Sequence, residues 1–340
     1  MIPFPLSIDP QAAPPFAGLT PDVVLDALDS VGFAGDGRLL ALNSYENRVY
    51  QVAMQEGPPC VAKFYRPNRW TDAQILEEHA FVRELDEEEI PVVAPLSSSG
   101  DRTLHAFGGY RFAVYRNCGG RAPELEDRAT REWLGRFIGR IHSVGSRTAF
   151  RERPTLDIES FGEEPRDWLL AHGFVPPDLV AAYQSIIELA LAGVRRAFAR
   201  AGEVRTLRLH GDCHAGNVLW LPEGANVGPH FVDFDDSRTG PAIHDLWMLL
   251  SGERDEMASQ LADILVGYED FHEFDRRELV LIEALRSLRL IHYAAWLARR
   301  WDDPAFPAAF PWFNTQRYWQ DRILELREQV AAMDEPPLDV

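Results

Sequence analysis

The sequence predicts an α+β fold in two lobes, a small N-terminal lobe rich in strands and a larger, mainly helical C-terminal lobe. Three observations predict it. Short apolar runs separated by turn residues crowd residues 39–65 and 90–115. Helical spacing of apolar residues dominates from residue 129 onward. The chain has 340 residues, more than one hydrophobic core holds, since single cores stop growing near ~250–300 residues. The expected division is residues 1–116 for the first lobe, with 1–20 a loose Pro- and Ala-rich arm, 117–120 for a hinge, and 121–340 for the second lobe.

Each element follows in order. Residues 21–31 show helical spacing, with Val24, Leu25 and Leu28. Residues 39–42, 49–54 and 60–65 read as strands, and Gly57-Pro58-Pro59 turns the chain before the third. Alternation with period two puts Val61, Lys63 and Tyr65 on one face. Residues 71–85 read as a helix behind a Thr71 N-cap, with Ile75, Leu76, His79 and Val82 at helical spacing. Residues 90–96, 103–107 and 110–115 are again strand-like. Asn117-Cys118-Gly119-Gly120 breaks the pattern and is the expected hinge. Beyond it, residues 129–144 place Trp133, Phe137, Ile138 and Ile141 on one helical face. Residues 179–200 do the same with Tyr183, Ile186, Ile187, Val194 and Phe198. Short strands return between 205 and 234, interrupted by a polar loop at 223–228, and helices resume at 243. The aromatic-rich stretch 296–319 is expected to pack in the core.

Composition narrows the function. A net charge of −19 argues against binding nucleic acid or an anionic membrane surface, both of which call for basic patches. The most apolar stretch, 279–297, is broken by Glu283, Arg286 and Arg289 and reads as a buried helix, not a span. The N-terminus lacks the basic and apolar regions of a signal peptide. Cys60, Cys118 and Cys213 show no paired spacing, as a reducing compartment allows. A cytoplasmic protein is therefore expected, and a monomer is the expected state. Lys and Arg together number 34, yet Lys63 is the sole lysine. A compact ammonium fits a tight phosphate site where a planar guanidinium does not; compositional chance is the competing explanation.

The strongest motif is Leu209-His210-Gly211-Asp212-Cys213-His214-Ala215-Gly216-Asn217-Val218, followed by His230-Phe231-Val232-Asp233-Phe234-Asp235-Asp236. Its pattern is H-x-D-x₄-N, then an apolar strand ending in Asp. Phosphoryl transfer needs few parts: an Asp to accept or orient the hydroxyl proton, an Asn and an Asp to hold Mg²⁺, and a Lys on a separate strand to grip the phosphates. Mg²⁺ favours oxygen ligands and keeps several waters, so one Asn and one or two Asp suffice. Asp212, Asn217, Asp233 and Lys63 supply this set in the required order. The chemistry expected is transfer of the ATP γ-phosphate to a hydroxyl, with ATP and Mg²⁺ bound.

This segment resembles the catalytic and metal loops of the aminoglycoside phosphotransferase-like branch of kinases, which includes choline and homoserine kinases. Asn43-Ser44-Tyr45-Glu46-Asn47-Arg48-Val49-Tyr50, Lys63-Phe64-Tyr65-Arg66-Pro67 and Gly240-Pro241-Ala242-Ile243-His244-Asp245-Leu246-Trp247-Met248 narrow the likeness to the bacterial stress-response serine/threonine protein kinases of that branch. It runs from about residue 20 to the Glu335-Pro336-Pro337-Leu338 tail. The resemblance implies a bilobal protein-kinase-like fold with a nucleotide-binding first lobe. It implies Asp212 as proton acceptor, Asn217 and Asp233 as Mg²⁺ ligands, with Asp233 also catalytic. It places Ser44 in the loop over the ATP phosphates, pairs Glu78 with Lys63, and gives Tyr115 to Cys118 backbone contacts to adenine. The implied acceptor is a protein Ser/Thr hydroxyl. The sequence departs from eukaryotic protein kinases in lacking G-x-G-x-x-G and A-P-E elements, and control by activation-loop phosphorylation is therefore not expected.

Competing readings stand beside these. Asp235 is either a second metal ligand or a solvated loop acid. Ser44 is a phosphate contact, an autophosphorylation site or a turn residue. Cys213 is expected to pack, His210 and Asp245 to brace the loop, and residues 86–89 to be a solvated helix end. A small-molecule kinase acting on an aminoglycoside, choline or homoserine-like hydroxyl would use the same phosphate machinery. A metal-dependent hydrolase using His210, Asp212 and His214 and a nucleotide-binding pseudokinase are the remote alternatives.

Overall fold

The computed structural model describes residues 14–222 and 227–340. The expected polar loop at 223–228 and the arm at 1–20 therefore lie partly outside the described residues. Helix α1 (Pro21–Asp29) opens behind Thr20, whose hydroxyl accepts the Val23 N–H, with Pro21 at its start. Strands β1 (Gly35–Leu42), β2 (Arg48–Met54) and β3 (Cys60–Phe64) follow, then α2 (Asp72–Glu87), β4 (His105–Phe107) and β5 (Tyr110–Arg116). The five strands form one antiparallel sheet in the order β1-β2-β3-β5-β4. Lys63 pairs across with Val49 on β2 and Ala113 on β5, at the middle of the sheet. Thr71 and Gln74 close a full capping box on α2, which fixes where that helix begins and thus which of its residues faces the sheet.

Two expectations change here. Residues 14–20 are docked: Phe16 stacks on Tyr110 at 6.2 Å, the Arg48 guanidinium lies 4.5 Å from the Phe16 ring, and Leu19 is buried. Burial of these apolar side chains holds the segment on the sheet. Residues 90–96 form no strand; they make single bridges, Val92 to Phe231 and Pro95 to Tyr115. Two prolines, Pro91 and Pro95, lack the N–H groups a ladder needs.

The remaining helices are α3 (Arg128–Gly145), α4 (Glu164–Ala171), α5 (Val180–Ala201), α6 (Ile243–Trp247), α7 (Arg254–Tyr268), α8 (Ile282–Ala298), α9 (Ala305–Ala309) and α10 (Gln316–Ala332). Between α5 and α6 lie β6 (Thr206–Leu209), β7 (Val218–Leu221), β8 (Gly228–Phe231) and β9 (Arg238–Pro241), paired as β6–β9 and β7–β8. Helices α3 and α7 approach with backbone against backbone. A Cβ on Gly135 would sit 1.9 Å from the Ile264 carbonyl oxygen, and one on Gly267 the same distance from that of Glu132. The buried face of α3 is therefore Leu134, Gly135, Ile138, Gly139, Ile141, His142 and Gly145, while Trp133 and Phe137 are only half-buried. The sequence reading weighted the large aromatics and missed that glycines permit the closest contact. The aromatic stretch does pack: Phe306, Phe313 and Trp319 are fully buried. No helix among the described residues is long and apolar enough to cross a membrane.

Candidate active site

The loop after β6 is built on a buried carboxylate. Asp245 of α6 accepts the His210 N–H at 2.8 Å on Oδ2 and the Gly211 N–H at 2.9 Å on Oδ1. Burial opposes its charge, but the His142 hydrogen bond at 3.1 Å and nearby imidazoles hold its carboxyl below the usual range. His210 donates from Nε2 to the Val232 carbonyl at 2.9 Å and accepts the Asp212 N–H on Nδ1, so one tautomer serves both bonds. Gly211 adopts φ +86°, and a Cβ there would lie 2.1 Å from the Asp236 carbonyl oxygen. The loop thus has one conformation, and it presents Asp212.

Asn217 donates from Nδ2 to the Asp212 carbonyl at 2.9 Å and to its Oδ2 at 3.3 Å. That commits the amide nitrogen and leaves the amide oxygen as the group Asn217 offers. Arg289 Nη2 lies 2.7 Å from Asp212 Oδ1, and His214 Nε2 lies 3.5 Å from Oδ2. Burial pushes the Asp212 carboxyl up, but His214 and Arg289 together carry it well below the usual range. Asp212 is thereby ionised at neutral pH.

Asp233 has φ 60° and ψ 59°, a left-handed conformation costly for a residue with a side chain. It stands two residues beyond β8 and turns its half-exposed carboxylate onto Lys63, whose Nζ lies 2.7 Å from Asp233 Oδ1 and 3.3 Å from Asp235 Oδ1. Burial would lower the Lys63 pKa, yet Asp233 and Asp235 raise it well above its ordinary value. The lone lysine is thus a buried, permanent cation. Asp235 is buried, pairs also with Arg69 at 2.5 Å and accepts from Asn47 Nδ2 at 3.3 Å. The solvated-acid reading of Asp235 fails: β3 and the segment 66–69 enclose it.

Glu78 departs from its expected contact. It is buried on α2, and burial pushes its carboxyl up to about 7 against the pull of Lys63. No Glu78–Lys63 ion pair forms among the described residues, because Asp233 and Asp235 hold the ammonium. Glu77 does something else, accepting the N–H groups of Arg151, Glu152 and Arg153. Ser44 donates from Oγ to the Asn47 carbonyl at 3.2 Å. Tyr115 holds the Tyr65 hydroxyl at 3.0 Å, and its backbone lies in the ladder against Val61 and bridges Pro95. The chain leaves the sheet after Arg116, so the backbone of 117–119 is free of the ladder while that of Tyr115 is not. Cys118 and Ser44 line the same cavity as Lys63, Asp212, Asn217 and Asp233, which encloses about 1230 Å³. Cys213 is buried with its thiol pushed well up, consistent with packing.

Sequence reasoning missed two residues. Glu46, in the loop between β1 and β2, is buried and meets Arg300 at 2.6 Å and Trp296 Nε1 at 2.7 Å from the end of α8 and just beyond it. Arg289 was read only as a charge interrupting an apolar helix. Its approach to Asp212 is a long-range contact, with no local signal to find it.

Hard oxygen donors are what this site offers a cation: the Asp233 carboxylate and the Asn217 amide oxygen, which suit Mg²⁺. Among the described residues, no three His, Cys, Asp or Glu side chains converge as a metal centre. The hydrolase reading needs His210 as a ligand, and both of its ring nitrogens are already engaged.

The chain is similar to known proteins over most of its length. The family described as "Phosphotransferase enzyme family", APH, matches residues 38–282. "Stress response kinase A" of Escherichia coli (strain K12) is 45% identical over 325 residues, covering 96% of this chain and 97% of that protein. "Serine/threonine protein kinase RdoA" of Salmonella typhimurium (strain LT2) is 44% identical over the same length and shares. Among solved structures, amicoumacin kinase hAmiN in complex with AMP-PNP, Ca²⁺ and Ami superposes with a TM-score of 0.71 at 19% identity, covering 93% of this chain and 94% of that one. A microcompartment-associated aminopropanol kinase gives 0.69 at 18%, covering 92% and 96%. Choline kinase LicA from Streptococcus pneumoniae gives 0.58 at 14%, covering 92% and 98%. At these identities the structures speak to the fold, which is the two-lobed kinase-like one.

Proposed function

The chain belongs to the APH phosphotransferase enzyme family and is an ATP-dependent kinase, and from that premise we propose that it is a Mg²⁺-dependent serine/threonine protein kinase acting in a bacterial stress response. One observation carries the chemistry: a single cavity brings together Lys63 from β3, Asp212 and Asn217 from the loop between β6 and β7, and Asp233 from beyond β8. The near full-length likeness to a serine/threonine kinase and to stress response kinases supports the acceptor class and the role.

In this reading Lys63 holds the ATP phosphates as a buried point charge, and its acidic partners keep it protonated. Asp212 receives the acceptor hydroxyl and takes its proton as the oxygen attacks the γ-phosphorus. Asn217 and Asp233 would hold Mg²⁺, which when bound supplies charge neutralisation between the phosphates. Ser44 sits in the loop that covers the phosphates. Residues 117 and 118, just past the sheet, receive the adenine through their backbone, with Tyr115 and Cys118 lining the same cavity. Glu78 stays near Lys63 as a carboxyl poised near neutrality, and it would approach the ammonium when nucleotide draws Asp233 away.

A second reading, a small-molecule kinase, is favoured by the solved neighbours, whose names are those of amicoumacin, aminopropanol and choline kinases. Arg289, 2.7 Å from Asp212, is the cation that a polycationic aminoglycoside would meet at the base, while Arg286 and Arg322 line the cavity together with Glu325 and Glu328. The test is γ-labelled Mg·ATP with casein or myelin basic protein beside a panel of hydroxylated metabolites. Label on protein alone supports the protein-kinase reading; label on a metabolite alone replaces it.

A further inference from the structure

The two oxygens of the Asp212 carboxylate are not equivalent. Oδ2 faces Asn217 Nδ2 at 3.3 Å and His214 Nε2 at 3.5 Å. Oδ1 has neither solvent exposure nor a well-aligned hydrogen bond, although the side chain as a whole is 23% exposed. The group against it is Arg289, with Nη2 at 2.7 Å. A base must come within ~2.6–3.2 Å of the hydroxyl whose proton it takes. At Oδ1 the Arg289 guanidinium stands at that distance, in the position from which a hydroxyl would approach this oxygen.

Arg289 is able to leave. It projects from α8 on a long flexible stem, and its side chain is 37% exposed. Arg286 and Tyr293, one turn away in either direction on α8, line the same cavity, so the guanidinium has open space beside it. Arg289 is the more solvent-facing partner of the pair, 37% exposed against 23% for Asp212, so its guanidinium regains hydration as it moves away.

We propose that Arg289 is a gate on the catalytic base: it covers Asp212 Oδ1 while no acceptor is bound, keeps water from that oxygen, and moves aside when the acceptor hydroxyl arrives. The inference rests on Asp212 being the base of a kinase. The reaction it suppresses is ATP hydrolysis. There a water oxygen bonds to the γ-phosphorus and the bond from that phosphorus to the β–γ bridging oxygen breaks, leaving its electron pair on ADP. The water proton passes to Asp212 and on to solvent, giving ADP, inorganic phosphate and a proton. A kinase with an uncovered base would spend ATP on water. Arg289 acts through Asp212 and is a positioning residue.

Two measurements on the full chain test the gate. The first uses the nucleotide-free protein: carbodiimide-driven amidation of carboxylates by glycine ethyl ester, located by mass spectrometry, with exposed Asp72 as the reference. Arg289→Met should raise labelling at Asp212 several-fold while Asp72 is unchanged, and Arg289→Lys, the conservative variant, should fall between it and the parent. The second measures release of phosphate from Mg·ATP with no acceptor present. Arg289→Met should raise it about tenfold, a fraction of what a well-placed base contributes, and adding Asp212→Asn should abolish the gain. A merely structural role predicts no gain in hydrolysis. Labelling and hydrolysis at or below parental levels in both Arg289 variants would overturn the gate, as would a gain that survives Asp212→Asn. If phosphate transfer by the parent protein itself proves independent of Asp212, the base assignment falls and the gate with it.

Discussion

At the residue scale, charge placement decides what each group can do. Lys63 is the one cation in the cavity that is not an arginine, and it stands between two carboxylates in a space burial has closed. A guanidinium there would need room for a planar fork and five donors. Lys63→Arg keeps the charge but should lower the transfer rate by about 10²-fold, the scale of losing one well-placed electrostatic contact in a site. Steady-state phosphoryl transfer checks this, and parental turnover would contradict the phosphate-grip role. The residue scale was also where sequence served best. Lys63, Asp212, Asn217 and Asp233 were legible because their types, order and spacing match the parts phosphoryl transfer needs. Asp235, Glu78 and Arg289 were read incompletely because their partners lie on distant segments: Arg69 reaches Asp235 across 166 positions. No local pattern encodes such a contact.

At the scale of elements, the site depends on how helices meet. Helices α3 and α7 cross with Gly135 against the Ile264 carbonyl, a gap that a methyl group cannot enter without moving backbone. Gly135→Ala should destabilise the fold by about 3 kcal/mol, the upper range for overpacking a tight contact, read by urea unfolding; an unchanged midpoint would mean the helices have slack. Helix periodicity was visible in the sequence. The choice of face was not, since it turned on glycines that a hydrophobic pattern ignores. The segment 90–96 was misjudged for a related reason: its apolar residues bury without a ladder. Helix α6, which carries Asp245, is itself capped by Glu278, whose Oε2 accepts the Ile243 N–H at 2.8 Å. Burial pushes the Glu278 carboxyl up to about 7 from its ordinary 4.5. The folded protein then holds a proton that the unfolded chain has lost between those values. Stability from this group is greatest below about pH 4.5 and declines as pH rises toward 7. Glu278→Gln should remove that decline from the pH dependence of Tm between 5 and 7. If the slope is the same in the variant, Glu278 titrates normally.

At the scale of the whole molecule, the loop between β1 and β2 is tied to the segment at and beyond the end of α8. Glu46 meets Arg300 and Trp296, Arg66 meets Asp303 at 2.9 Å, and Tyr45 packs edge-on against Phe310 at 4.8 Å. These contacts bridge residues 45–66 to residues 296–310 and hold the cavity closed on that side. Glu46→Ala leaves the buried Arg300 without its carboxylate and should cost about 3 kcal/mol, as breaking one partner of a buried pair does, and it should raise the KM for ATP more than it lowers kcat. An unaltered KM would show that the loop is positioned without this tie. The two-lobed architecture was legible from strand and helix patterning alone, but this cross-connection was not, because it joins segments some 250 positions apart. The account as a whole stands on Asp212 as the base of ATP-dependent phosphoryl transfer. Its most direct test is single-turnover transfer from γ-labelled Mg·ATP by Asp212→Asn, with ATP binding followed in parallel. Transfer should fall by about 10²–10⁴-fold with nucleotide affinity close to that of the parent; transfer at the parental rate would contradict the account.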